Sequence, residues 1–96
     1  MSGRGAEVVE REVVIVNELG MHARATAKLV AVAARFPCDI ELEKDGQRAD
    51  GKSIMGLLLL CGGPGSRITL RARGKRAKAA VDALAKLIGA RFGEER

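Results

Sequence analysis

The stretch Arg67-Ile68-Thr69-Leu70-Arg71-Ala72-Arg73 alternates polar and apolar residues without a break, and no other feature of the chain narrows the possible folds as far. Side chains of a β-strand point alternately to opposite faces, so Ile68, Leu70 and Ala72 turn to a core while Arg67, Thr69, Arg71 and Arg73 turn to water. Asp39-Ile40-Glu41-Leu42-Glu43 repeats the pattern, with Ile40 and Leu42 inward and three acids outward. Strands wet on one face belong to antiparallel sheets, because parallel sheets are covered on both faces. Asp45-Gly46 is a hairpin signal that returns the chain along Gln47 to Asp50. A first strand is expected at Arg11-Glu12-Val13-Val14-Ile15-Val16, which is β-branched and ends at Asn17-Glu18.

Between these strands the period changes. From Ala23 to Phe36 there is neither Gly nor Pro, and apolar residues recur at Ala23, Ala27, Val30 and Ala34, the spacing of one buried helical face; Pro37 stops the run. Ser53 is a good N-cap for a short apolar helix from Ile54 to Leu60, weakened by Gly56 and ended by the loop Gly62-Gly63-Pro64-Gly65. After Gly74 a last amphipathic helix carries Ala77, Val81, Leu84 and Ile88 inward, with Ala80 and Leu87 flanking, until Gly89 and Gly93 loosen it. The order βαββαβα predicts an α+β fold, an open-faced β-sandwich with a four-stranded, mostly antiparallel sheet and three helices on one face. Residues 1–10 are expected to be a flexible tail, with Met1 to Ala6 frayed, 11–92 a single domain, and 93–96 a C-terminal tail.

Composition adds constraints at a few points. Phe36 and Phe92 are the only aromatics, so the core has to be aliphatic. Cys38 and Cys61 lack CxxC spacing and read as small buried hydrophobes, which suits a reducing cytoplasm. The first residues have no apolar signal core, and the run Ile54 to Cys61 is too short for a bilayer, so neither export nor membrane insertion is expected. Lys52, Arg67, Arg71, Arg73, Lys75, Arg76 and Lys78 lie between Gly51 and Val81 with no acid among them, a basic half whose plainest reading is a solvated sheet face.

The only histidine, His22, stands between Gly20-Met21 and the first helical run, and so at a helix N-terminus. There the backbone N–H groups lack intrahelical partners and the peptide dipoles leave partial positive charge, which favours an anion. Arg24 adds a guanidinium. An imidazole nitrogen is a nucleophile near neutral pH, and one placed here can accept a phosphoryl group whose oxygens meet Arg24 and the N–H groups of Ala23 and Ala25. The plainer reading is a surface histidine in a turn, and spacing alone leaves both open.

Gly20-Met21-His22-Ala23-Arg24-Ala25-Thr26-Ala27, followed by Leu29-Val30, resembles the active-site segment G-L-H-A-R-P-A of HPr, the histidine-containing phosphocarrier family of the bacterial sugar phosphotransferase system. Gly51-Lys52-Ser53-Ile54-Met55-Gly56-Leu57 resembles the same family's second motif, built around a regulatory serine, and the two fall in the family's order. The likeness runs from about Arg11 to Phe92, with Ala25 where the family usually has proline. The resemblance implies the open-faced sandwich with the last strand between the first and second. It implies a carrier with a covalent phosphohistidine on Nδ1 of His22, rather than a stand-alone enzyme, and no cofactor or metal. The partners implied are enzyme I, with phosphoenolpyruvate as ultimate donor, enzyme IIA proteins or domains, and an HPr serine kinase/phosphorylase acting at Ser53. A monomer is expected. A short helix cannot bury all its apolar residues, so Met55, with Met21 and Lys52, is assigned to partner docking.

Two other functions compete with the carrier. An RNA-binding module of KH type is suggested by the basic half and by Gly62-Gly63-Pro64-Gly65, but that loop precedes a strand, contains Pro64 and comes with no aromatic platform. A free-standing enzyme lacks parts: no motif places a carboxylate near His22, and there is no metal-ligand cluster or nucleotide loop.

Overall fold

The computed structural model describes residues 7–96, so the frayed segment expected at Met1 to Ala6 lies outside the described residues. The elements are β1 (Val8–Val14), α1 (Ala23–Ala33), β2 (Asp39–Lys44), β3 (Gln47–Asp50), α2 (Ile54–Leu59), β4 (Arg67–Arg73) and α3 (Ala77–Gly89). The four strands form one antiparallel sheet in the order β1-β4-β2-β3, so the last strand does lie between the first and second. The three helices cover one face, and the fold is the open-faced sandwich that the alternation predicts.

Register explains why β4 alternates so cleanly. Leu70 pairs with Leu42 and Arg11, and Ala72 with Ile40 and Val9, so Leu42, Leu70, Ala72 and Ile40 form one buried layer. On the other face Arg71 lies between Glu10 and Glu41 and bonds both, at 2.5 and 2.6 Å, with Glu43 at 3.2 Å. These carboxylates hold the Arg71 guanidinium above its ordinary value, led by Glu10. A central arginine of the basic half is therefore neutralised by acids of the neighbouring strands.

At the hairpin, Asp45 and Gly46 both take positive φ, +51° and +81°, the type I′ geometry that matches the twist of its strands. The core is aliphatic apart from Phe92, fully buried, and Phe36, nearly so. Burying a phenylalanine contributes about 1.5–3 kcal/mol, so Phe92 fastens the chain end firmly.

Several expectations need correction. The first strand runs Val8–Val14, not Arg11 to Val16, so residues 8–10 belong to the sheet rather than to a tail. The α1 helix ends at Ala33, short of Phe36, and it buries a different face. Ala25, Thr26, Leu29 and Ala33 point to the core, while Ala23, Ala27 and Ala34 are exposed and Val30 is half-buried. Alanine favours helix wherever it stands and so marks no face. Thr26 is admitted to the interior because its hydroxyl donates to the Met21 carbonyl at 3.1 Å. Cys38 is buried as expected, but Cys61 is exposed, at a positive φ of +54° where α2 unwinds. Among the described residues no helix is long and apolar enough to cross a membrane.

Candidate functional site

The loop before α1 is fixed from both sides. The N–H of Gly20 donates to the Asn17 carbonyl, and the buried amide of Asn17 donates to the Gly20 carbonyl at 2.8 Å. The N–H of Met21 donates to the Gly62 carbonyl at 2.8 Å, which ties this loop to the one that follows α2. Gly20 takes φ +66°, and a Cβ there would sit 2.6 Å from the Gly62 oxygen, so only glycine passes.

This scaffold places His22 at the N-cap of α1 with extended backbone, φ −72° and ψ 175°. The first intrahelical bond runs from Thr26 N–H to the His22 carbonyl, so the N–H groups of Ala23, Arg24 and Ala25 lie ahead of it. The His22 side chain is 27 % exposed, enough for a partner to reach the ring. Arg24 is exposed and lines the same cavity of about 430 Å³, together with Glu18, Leu19, Glu94 and Arg96. Ala25 is fully buried, and its backbone carries the N–H that proline lacks.

Sequence reasoning missed Glu94. Residues 93–96 were expected to be a tail, yet Glu94 Oε2 accepts a hydrogen bond from Nε2 of His22 and Oε1 accepts one from the Asn17 amide at 2.9 Å. The bond from His22, then that from Asn17, holds the Glu94 carboxyl below the usual carboxylate range. A carboxylate only accepts, so the nitrogen facing it carries a proton, and in the neutral ring the lone pair is then on Nδ1. The contact joins residues 72 apart, and no local pattern announces it.

Ser53 is the N-cap of α2, its hydroxyl accepting from the Gly56 N–H at 3.0 Å. Beside it Met55 and Leu59 are exposed at 68 and 69 %, and Ile54 at 44 %. Of the residues assigned to docking, Met55 and Lys52 are exposed and Met21 is buried. Met21 is 5 % exposed, because its side chain packs against Gly62. The Lys52 ammonium turns back onto the carbonyls of Phe36 and Cys38, at 2.8 and 2.9 Å, and closes the chain after α1. The loop Gly62 to Gly65 joins a helix to a strand and braces the His22 loop, so it does not form a KH-type clamp. Among the described residues no cluster of His, Cys, Asp and Glu could hold a metal ion.

Comparison with known proteins agrees with this geometry. Residues 9–90 match the family model described as the PTS HPr component phosphorylation site. The chain is 44% identical over 87 residues to the phosphocarrier protein HPr of Cupriavidus necator, covering 91% of this chain and 98% of that one. To HPr of Pseudomonas putida it is 45% identical over 85 residues, covering 88% and 94%. Among solved structures, that of HPr-C-His from Thermoanaerobacter tengcongensis superposes with a TM-score of 0.89 at 39% identity, over 92% of this chain and 99% of that one.

Proposed function

The chain belongs to the HPr family of phosphotransferase-system phosphocarriers, and on that premise we propose that His22 is the residue that takes and surrenders the phosphoryl group. The observation that carries this is the position of the ring: at a helix N-cap, partly exposed, with Nε2 bonded to Glu94 and Nδ1 making no hydrogen bond among the described residues. The Nδ1 lone pair forms the bond to phosphorus while the bond between phosphorus and the donor breaks, its electron pair leaving with the donor. Arg24 and the leading N–H groups of α1 take the phosphoryl oxygens. A shallow site suits a carrier, because both partners have to reach the same atom.

The donor in this reading is enzyme I, charged by phosphoenolpyruvate, and the acceptors are enzyme IIA proteins or domains that serve sugar transport in a bacterial cytoplasm. Ile54, Met55 and Leu59 form the apolar docking patch, for an exposed apolar cluster beside a reactive group is what a protein partner covers. Ser53 is the regulatory site, a target for a serine kinase/phosphorylase.

Incubation with phosphoenolpyruvate and a cognate enzyme I is expected to give one acid-labile phosphoryl group on the protein and none on His22→Ala. An adduct that persists in His22→Ala would sink the assignment. Arg24→Ala is expected to fold and to transfer more slowly.

A further inference from the structure

The acceptor's geometry depends on a part of the chain far from the helix that carries it. After α3 the backbone enters a left-handed turn, with Arg91, Phe92 and Gly93 at φ +59°, +55° and +81°. Positive φ is unfavourable at residues with a Cβ and persists only where the surroundings impose it. Here they do so in two ways. Phe92 is fully buried in the core, and Lys28 on α1 donates to its carbonyl at 2.7 Å. The Glu94 N–H then bonds the Arg91 carbonyl at 2.9 Å, which fixes the backbone from which the Glu94 carboxylate reaches His22 and Asn17.

We propose that this turn is a positioning device for the acceptor: Lys28 and Phe92 hold it, and it holds Glu94 so that the carboxylate keeps the proton on Nε2 and aims the lone pair of Nδ1 at the phosphorus. The inference rests on His22 being the acceptor. As Nδ1 bonds phosphorus the ring gains positive charge, and Nε2 keeps its proton throughout; the carboxylate faces that charge, much as the acid of a Ser-His-Asp triad faces its imidazolium. The lowered protonation range of Glu94 agrees with this role. Arg24 on α1, Glu18 in the preceding loop, and Glu95 and Arg96 at the chain end are the other charged groups around the cavity, and among the described residues none of them bonds the ring.

The variant Glu94→Gln separates positioning from support. A glutamine has one carbonyl oxygen, and the Asn17 amide still needs an acceptor, so the new NH₂ faces Nε2 and drives the ring toward the tautomer protonated on Nδ1. The test combines ¹⁵N and ¹H NMR of the His22 ring with the rate of phosphoryl acceptance from enzyme I. Wild-type protein should show a protected Nε2–H resonance. Glu94→Gln should gain the Nδ1–H tautomer, and Glu94→Ala should lose the protected resonance while keeping its fold. Both should accept the phosphoryl group roughly tenfold more slowly or worse. Lys28→Met should slow acceptance in the wild-type background and add nothing to Glu94→Ala, since it acts through the same carboxylate. If wild-type protein is phosphorylated on His22 yet both Glu94 variants match its rate, the device is refuted and the acceptor assignment survives. If the group is found on another residue, the assignment fails and the device with it.

Discussion

Gly20 shows how one residue can decide whether the acceptor is presented at all. Its φ of +66° is costly for any residue with a Cβ, and the Gly62 carbonyl that receives the Met21 N–H occupies the space a Cβ would need. Backbone on both sides leaves no flexible side chain to yield. Gly20→Ala is therefore expected to destabilise the protein by about 2–4 kcal/mol, the positive-φ cost plus the clash. Denaturant unfolding measures this, and a loss within error of zero would mean that the two loops are free to part. His22 itself was legible, being a lone histidine between a glycine and a helical run. Its carboxylate was not, because Glu94 is brought to the ring by the packing of α3 and Phe92, and side chains 72 residues apart leave no periodic trace.

Among the elements, α2 is the shortest helix and the one most dependent on its cap. Its six residues make few bonds of their own, and the Ser53 hydroxyl satisfies the Gly56 N–H. Ser53→Ala is expected to cost about 1 kcal/mol. Ser53→Asp keeps a good cap and adds a negative charge at a helix N-terminus, so the melting temperature should hold. What the charge alters is the neighbouring surface of Ile54 and Met55, where it would repel an acidic partner and burden an apolar contact. Phosphoryl transfer by Ser53→Asp should fall at low salt and recover in part at high salt. A wild-type rate at low salt would leave Ser53 with the cap alone. The cap was readable because its chemistry is local, as was the turn at Asp45-Gly46. The buried face of α1 was not, since alanines fill both sides and only Leu29 and the back-bonded Thr26 mark the interior.

For the whole molecule, the sheet has two edge strands, β1 and β3, and β1 pairs with β4 alone. A clasp reinforces it: Arg11 on β1 bonds Asp82 on α3 at 2.6 Å, and Lys78 reaches the same carboxylate at 2.9 Å. The hydrogen bond from Lys78, then that from Arg11, lowers the Asp82 carboxyl below its ordinary 3.8. Glu94, tied to His22 and Asn17, is likewise lowered from 4.5. A group whose folded value is depressed stabilises the fold above its unfolded value and ceases to do so as pH falls through the folded one. Both ties should therefore be intact at neutral pH and vanish on acidification below the ordinary carboxylate range. All three clasp side chains are more than 40 % exposed, so its contribution should be small and screened by salt. Asp82→Asn is expected to melt below wild type at neutral pH and to converge with it on acidification below the ordinary carboxylate range, with the gap narrower at high salt. Melting curves across that pH range at two salt concentrations decide the matter. A constant gap at every pH would mean that Asp82 acts through packing, and that β1 is held by its ladder with β4 and the burial of Ile15.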